Sequence, residues 1–373
     1  MSKLDMILDN LQAISNNPKK ALEDYKAETG KEAVGVLPVY APEEIVYAAG
    51  VLPVGCWGKA TKATSKSSTY LPAFACSIMQ SVMEMEIEGV YDGLKAVIVS
   101  SPCDTLKCMG QKWKGTSPVI QFVHPQNRGL ASANAFLVEE YKIIRSKLET
   151  ILGVKITDEA INAAIDVYNE NRKVMREFTE VAAQYPHVID PAKRHAVIKA
   201  RFFMDKAKHT QVVKELIAEL KAMPVEPWNG KKVILTGITA EPTELLDILK
   251  EFGVAVVADD LAQESRQFRV DVPEGDEPLM RLAKAWQNMV GCSLATDRDK
   301  GRVSMLVDMA KKSGADAVVY CMMKFCDPEE FDYPIVYEKL GEAEIKNLMI
   351  EIDQQASSFE QIRTRIQSFV EMF

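Results

Sequence analysis

Short runs of valine and isoleucine alternate with helical stretches through the first part of the chain. Four such runs lie at Val34–Val39, Leu52–Cys56, Ala96–Ser100 and Val119–Val123. Each run is followed by a loop and then by a stretch with helical periodicity. This alternation indicates βα units around a mostly parallel sheet, because parallel strands are joined by crossover connections that are usually helices.

The same alternation returns near the C-terminus. Strands are predicted at Val233–Thr236, Val254–Ala258 and Ala317–Tyr320, and helices at Glu241–Glu251, Glu277–Met289, Arg302–Ser313 and Gln355–Phe373. Between the two parts, Ser132 to Met223 is almost continuously helical, with breaks at Pro186 and Pro191. A polar stretch from Leu4 to Lys26 predicts one N-terminal surface helix.

A linker signal separates the two parts: Pro224, Pro227, Asn229 and Gly230 fall within seven positions. The sequence therefore predicts an N-terminal α/β domain with a helical extension over residues 1–223 and a C-terminal α/β domain over residues 224–373. The predicted fold class is α/β, with two Rossmann-like doubly wound domains, an N-terminal helix and a helical segment between the domains. Such sheets bind ligands at the carboxyl ends of their strands.

Charge and hydropathy exclude several classes of protein. The chain has 373 residues and a net charge of −8, which disfavours general binding to nucleic acid or anionic membrane. No apolar run approaches the ~18 residues that span a bilayer, and the acidic start does not fit a secretory signal. We therefore expect a cytoplasmic protein. Its seven cysteines, an odd number in a long chain, argue against a disulfide scaffold.

Common catalytic motifs are missing from the sequence. No Gly-x-Gly-x-x-Gly follows a strand, and Gly50–Gly55 is followed by Cys-Trp, which rules out a P-loop there. The four histidines have no metal-ligand spacing, and no Gly-x-Ser-x-Gly elbow is present. Dinucleotide, P-loop ATP, zinc-hydrolase and serine-hydrolase sites are thus disfavoured.

Three cysteines stand at predicted helix starts beyond strands. Cys103 precedes Asp104 and Thr105, either of which could cap the helix; Cys326 precedes a predicted Asp327 N-cap with Pro328 at N1; Cys76 also begins a helix. Helix N-termini lower thiol pKa values, which suits a metal ligand or a nucleophile. Three thiolates would leave one iron of a [4Fe–4S] cluster to another ligand. Because free cysteines are often inert core residues, the residues alone leave cluster, reactive thiol and buried side chain all open.

Six segments, in order, resemble the 2-hydroxyacyl-CoA dehydratase family, specifically its β subunits. They are Pro38–Gly50, Leu52–Gly58, Cys103–Leu106, Ala258–Leu261, Lys324–Glu330 and Ile352–Gln355. The resemblance covers essentially the whole chain and is closest to the small subunits that serve 2-hydroxyisocaproyl-CoA and lactoyl-CoA dehydratases. It implies a [4Fe–4S] cluster held between two Rossmann-like domains by Cys76, Cys103 and Cys326. Cys56, Cys108, Cys292 and Cys321 fall outside that ligand pattern, and Cys108 and Cys321 are the nearest alternatives.

The resemblance also implies a reaction and partners. In this family, one electron from a separate ATP-dependent iron–sulfur activator forms a ketyl radical that expels the 2-hydroxyl group. Loss of the β-proton and return of the electron complete a syn-type elimination to the 2-enoyl-CoA, in anaerobic amino-acid fermentation. The substrate binds mainly to an α subunit, so an α–β heterodimer is expected. Alternatives are a benzoyl-CoA reductase-like or double-cubane-cluster reductase of the same family, or a non-enzymatic two-domain binding protein.

Other polar residues have structural and functional interpretations. The segment Asp259–Arg266 is predicted to support a site or to lie at an interface, with a purely structural hydrogen-bonded loop as the alternative. His124 could donate to a cluster sulfur or cap a strand end. Pro42 is predicted at the N1 position of a helix, with Glu43 and Glu44 near the positive end of its dipole. The basic run Lys59–Lys66 is predicted as a solvated loop that could contact the activator.

Overall fold

The computed structural model describes residues 2–37, 39–59, 65–275 and 277–372, so most of the basic run Lys59–Lys66 lies outside the described residues. The described chain forms two four-stranded sheets in which every strand pairing is parallel. The first, ordered β2-β1-β3-β4, contains β1 (Ala33–Leu37), β2 (Leu52–Gly55), β3 (Val97–Ser100) and β4 (Val119–Phe122). The second, ordered β6-β5-β7-β8, contains β5 (Lys231–Gly237), β6 (Val254–Leu261), β7 (Ala317–Met323) and β8 (Lys346–Ile352).

Helices connect and cover these strands. In chain order they are α1 (Lys3–Asn16), α2 (Pro18–Thr29), α3 (Glu43–Ala48), α4 (Ser77–Ile87), α5 (Asp104–Lys112), α6 (Ala131–Leu152), α7 (Asp158–Ala182), α8 (Pro191–Ala200), α9 (Lys206–Lys221), α10 (Glu244–Glu251), α11 (Pro278–Gln287), α12 (Gly301–Ser313), α13 (Asp327–Glu342) and α14 (Glu360–Glu371). None of the described helices is long and apolar enough to cross a membrane.

The N-terminal segment is two helices, so the prediction of one helix over residues 4–26 is wrong. Asn17 ends α1 and caps α2, where its side chain accepts a hydrogen bond from the Lys20 backbone N–H. Pro18 occupies the first position of α2, where its missing N–H costs nothing. The helical periodicity of the sequence continues across Asn17, so this periodicity alone did not reveal the break between α1 and α2.

The predicted parallel α/β architecture is confirmed at the level of two parallel sheets with helical connections. Central strands such as β1 and β7 are buried along their whole length, which makes them continuous apolar runs in sequence. The edge strand β8 was not predicted, because only its Ile350 and Ile352 are buried and its polar residues interrupt the run. α6 to α9 form the predicted helical segment.

One hydrophobic cluster contains core residues of both sheets, including Val36 and Val99 of the first and Leu235 and Val319 of the second. A second cluster joins α1 to the helical segment α7–α9. The extended stretch between α9 and β5 carries the linker signal, and a domain division at residue 224 remains a prediction.

A buried ionic network ties α8 to the carboxyl ends of β5 and β6. His195 contacts Glu264 through Nδ1 at 2.8 Å and Glu241 through Nε2 at 3.3 Å. Lys199 pairs with Glu241, and Arg194 pairs with Glu264. Burial opposes protonation, but the two carboxylates outweigh it and raise the pKa of His195 to about 9.

This raised pKa predicts that the His195 contribution to stability falls at alkaline pH. A histidine whose folded pKa exceeds its unfolded value of 6.5 stabilises the fold fully below pH 6.5. That stabilisation, about 3 kcal/mol, is lost as the pH rises through about 9. We expect the unfolding free energies of the unchanged protein and His195→Asn, measured in urea, to converge between about pH 6 and about pH 10. A difference that stays constant with pH would contradict the assignment.

Candidate functional site between the two sheets

Three cysteines from separate parts of the chain line one cavity of about 350 Å³. Cys103 follows β3 of the first sheet, and Cys326 follows β7 of the second. Cys76 lies just before α4, in the connection that leads from β2 to β3. Their neighbours around the cavity include Gln126, Ser293, Thr296, Phe325 and Phe331. The structure therefore brings together the three thiols that the sequence singled out.

Each of these cysteines is the N-cap of a helix: Cys76 of α4, Cys103 of α5 and Cys326 of α13. The predicted Asp327 N-cap is wrong, because Asp327 is already the first helical residue and Pro328 the second. The helix after Cys103 is likewise capped by the cysteine itself, not by Asp104 or Thr105.

Backbone N–H groups of the first helical turn point toward each sulfur. Ile78 and Met79 interact in this way with Cys76, and Thr105 and Leu106 interact with Cys103. The Glu329 N–H does the same for Cys326. These N–H groups are the ones that a helix leaves without intrahelical partners, and they favour negative charge on the sulfur.

Burial nevertheless raises the pKa of all three free thiols. Burial raises the pKa of Cys76 to about 12, and it also raises the pKa values of Cys103 and Cys326. The negative charges of Glu329 and of the other two cysteines raise the pKa of Cys326 further. The prediction of lowered pKa values is thus wrong for the free thiols, because desolvation outweighs the N–H groups. A bound metal supplies the missing positive charge and displaces thiol protons.

Within the described part of the chain, no group of three or more His, Cys, Asp or Glu side chains is arranged to hold a single metal ion. A [4Fe–4S] cluster has a different requirement, since its cysteine sulfurs bind separate irons around a larger body. Three N-cap thiols around a cavity fit that requirement.

The other four cysteines do not line this cavity. Cys108 is exposed on α5, while Cys321 is buried within β7 and Cys56 is buried just after β2. Cys292 is buried and lies 2.9 Å from the Tyr40 hydroxyl. All seven cysteines carry free thiols.

A fully buried ionic network lies directly behind Cys326. Glu329, in the first turn of α13, contacts Arg266 at 3.2 Å and Arg302 at 2.9 Å. Both arginines also contact Asp260, at 3.0 and 2.9 Å. Ser293, on the cavity wall, donates to Glu329 at 2.6 Å. The network thus supports α13, the helix that Cys326 caps, and also holds the side chain of Ser293 on the cavity wall.

Sequence reasoning found part of this network. It placed Asp260 and Arg266 in a polar segment beyond a strand, but β6 extends to Leu261, so Asp260 belongs to the strand itself. Arg302 and Glu329 were missed in this role, because nothing in their local sequence indicates partners more than 25 positions away.

His124, Glu43 and Glu44 also differ from expectation. His124 neither lines the cysteine cavity nor caps a strand: its ring lies between Phe122 and Trp286. Pro42 is the N-cap of α3, not its first residue, and both glutamates are buried. Glu43 pairs with Lys206 and Glu44 with Arg172, so they act in tertiary ion pairs.

Aromatic side chains are exposed at the cysteine cavity. Phe331 is 80% exposed and Phe325 is 41% exposed. Phe325 has a φ of 62°, an unusual conformation for a non-glycine residue, immediately before Cys326. Exposed apolar groups grouped at a cavity are typical of surfaces that bind another molecule.

Comparison with known proteins identifies the family. The family described as "2-hydroxyglutaryl-CoA dehydratase, D-component" matches residues 38–373. The chain belongs to this dehydratase family. Among its relatives, the lactoyl-CoA dehydratase subunit beta of Anaerotignum propionicum is 64% identical over all of both chains. The (R)-phenyllactyl-CoA dehydratase beta subunit of Clostridium sporogenes is 45% identical over all of both chains, and the (R)-2-hydroxyglutaryl-CoA dehydratase subunit beta of Acidaminococcus fermentans is 38% identical over 99% of each.

Membership of the dehydratase family confirms the resemblance on which the sequence interpretation depended. The relatives are named as subunits of dehydratases, which are hydro-lyases, so the predicted enzyme class is confirmed. In this member of the dehydratase family, the three thiols lie where both sheets present their carboxyl ends, the usual ligand position in open α/β sheets.

Proposed function

We propose that the chain is the β subunit of an (R)-2-hydroxyacyl-CoA dehydratase and holds a [4Fe–4S] cluster through Cys76, Cys103 and Cys326. One observation carries this proposal: three N-cap thiols from both sheets face a single cavity. Full-length identities of 64% and 45% to beta subunits of two such dehydratases support the reaction class.

The side chains around the cavity suit such a cluster. The thiols supply three ligands, and their helix N-termini offset the negative charge of thiolates and sulfide. The fourth iron would have no cysteine from this set and would need a different ligand. Glu329, behind Cys326, is already held by two arginines and a serine, and it is therefore not free to act as a ligand.

In the proposed enzyme the cluster supplies a relay for single electrons. Cys76, Cys103 and Cys326 would hold it, and Phe325 and Phe331 line the same cavity. An ATP-dependent iron–sulfur activator would deliver the electron, and ketyl-radical elimination of water would take place on a 2-hydroxyacyl-CoA bound mainly by an α subunit.

The exposed aromatic residues support an obligate protein partner. Phe331 and Phe325 leave much of their surface in water, at the edge of the cavity that would carry electrons. Covering them with an α subunit would remove this apolar surface from water and bring the second subunit close to the cluster. We propose lactoyl-CoA as the first substrate to test, given the 64% identity to the lactoyl-CoA dehydratase subunit.

The deciding experiment measures cluster content and activity together. The chain is produced with its α partner, purified without oxygen, and analysed by native mass spectrometry for iron and sulfide on this chain. We expect about four of each per chain and, with the activator and ATP, conversion of lactoyl-CoA to the enoyl-CoA. A folded, colourless chain without iron would refute the proposal and favour the non-enzymatic binding protein.

The same measurement separates the enzyme alternatives. A double-cubane reductase would carry about eight irons per chain and act without an α subunit. A benzoyl-CoA reductase-like subunit would carry one cluster but would not support dehydration of any 2-hydroxyacyl-CoA.

A further inference from the structure

A second cavity, of about 90 Å³, lies apart from the cysteines. One wall is formed by the loop before α3, by His124 and Tyr141, and by Arg201 just after α8. The opposite wall comes from the second part of the chain, including Arg266 and Trp286. No cysteine of the described chain lines it. It is therefore a separate space between the two parts of the molecule.

Arg201 is buried in this cavity without a counter-ion. The residue is 2% exposed, and its Nε donates to Asn171 at 2.7 Å. Among the described residues, Nη1 has no hydrogen-bond partner, Nη2 makes no hydrogen bond, and no carboxylate lies within 4.0 Å of either nitrogen. An unpaired buried charge is strongly unfavourable, so the native protein requires a group that compensates it.

The neighbouring charges do not supply that group. Glu44 is paired with Arg172, and Glu43 is paired with Lys206 at 3.1 Å and accepts from Tyr168 at 2.9 Å. Three cations therefore share two carboxylates, which leaves one positive charge. Burial, together with the nearby positive charge of Arg201, lowers the pKa of Lys206 to about 8, as expected where positive charge is in excess.

Arg266, the remaining cation on the cavity wall, adds nothing to this excess. Its guanidinium is held by Asp260 at 3.0 Å and Glu329 at 3.2 Å. The unpaired charge of the cavity therefore belongs to Arg201.

Two neutral donors also face the cavity without partners. His124 is 1% exposed, and neither ring nitrogen has a hydrogen-bond partner among the described residues. Burial lowers its pKa to about 3, although the nearby Tyr40 backbone opposes this, so the neutral ring offers one N–H. The buried Tyr141 hydroxyl makes no hydrogen bond to the described residues either.

We propose that this cavity binds a small planar monoanion of the carboxylate class, such as formate or bicarbonate. The free Nη1 and Nη2 edge of Arg201 matches the two oxygens of a carboxylate. The cavity volume of about 90 Å³ is sufficient for an ion of this size. The bound anion would contact Arg201, His124 and Tyr141 and would neutralise the buried charge of Arg201. This site does not depend on the proposed dehydratase function.

The test is thermal unfolding of the anaerobic α–β complex at constant pH and ionic strength. Sodium formate replaces a sodium salt of a bulky sulfonate, which is too large for the cavity. We expect a saturable rise in Tm of about 2 °C in the unchanged complex. Arg201→Met should abolish the rise, whereas Arg145→Met, which removes a surface arginine paired with Asp158, should preserve it.

Two outcomes would overturn the proposal. They are a Tm that does not respond to formate, and an equal response in Arg201→Met. If Arg201→Met does not fold, crystals of the unchanged complex soaked in bromide decide the question, because an anion at Arg201 gives an anomalous peak in the cavity. A cavity that holds only water in those crystals would exclude the anion.

Discussion

Replacement of Cys326 by serine is expected to remove the cluster from this chain and to reduce dehydration to background. Cys326 is the only one of the three proposed ligands that the second sheet provides, so its loss leaves the cluster attached to one side of the cavity. Anaerobic iron and sulfide analysis of the chain, together with a lactoyl-CoA dehydration assay, measures the effect. Cys76→Ser and Cys103→Ser should behave in the same way.

The chain provides matched controls for these variants. Cys108 lies on the helix that Cys103 caps but is exposed, so Cys108→Ser should retain cluster and activity. Cys321 lies five residues before Cys326 but is buried in β7, so Cys321→Ala should also retain the cluster. A full cluster in Cys326→Ser that disappears only when Cys321 is also replaced would show that the ligand assignment is wrong.

Arg266→Met is expected to lower the free energy of unfolding by about 3–5 kcal/mol. The Arg266 side chain is fully buried and contacts two carboxylates, Asp260 and Glu329, which are also fully buried. Methionine fills similar space but leaves these carboxylates with less positive charge in a water-free environment. The measurement is urea denaturation of the complex, with the m value compared between variants.

An exposed arginine provides the control for Arg266→Met. Arg363 pairs with Glu251 at the surface, so Arg363→Met should cost less than about 1 kcal/mol. Adding Glu329→Gln to Arg266→Met should recover part of the loss, because one unpaired carboxylate is then removed. A loss in Arg266→Met no larger than in Arg363→Met would contradict a structural role for the network.

The sheets could be predicted from sequence because their central strands are buried on both faces. Val97–Ser100 and Ala317–Met323 are continuous apolar runs for that reason, and their crossover helices follow at the expected distance. The edge strand β8 has no such run. Helix starts were predicted less well, because Cys326 and Cys103 occupy the N-cap positions in place of the more usual neighbouring aspartates.

The three thiols could be selected from sequence because each follows a recognisable strand or begins a recognisable helix, and the family resemblance then separated them from the other cysteines. The buried charges could not be paired in advance. Glu43 pairs with Lys206, whereas Arg201 pairs with no carboxylate of the described residues, and both results depend on how α3, α8 and α9 pack. Local sequence carries no signal for such distant pairings, nor for the burial of His124 between aromatic rings.

Both sheets arrange their strands in the same order, with the third strand beside the first. In one half that third strand, β3, leads to Cys103, and in the other half the corresponding strand, β7, leads to Cys326. The two thiols therefore occupy equivalent places in two halves of one topology. The cavity is therefore built from one topological position used twice, and Cys76, which lies between β2 and β3, is the thiol that has no part in this correspondence.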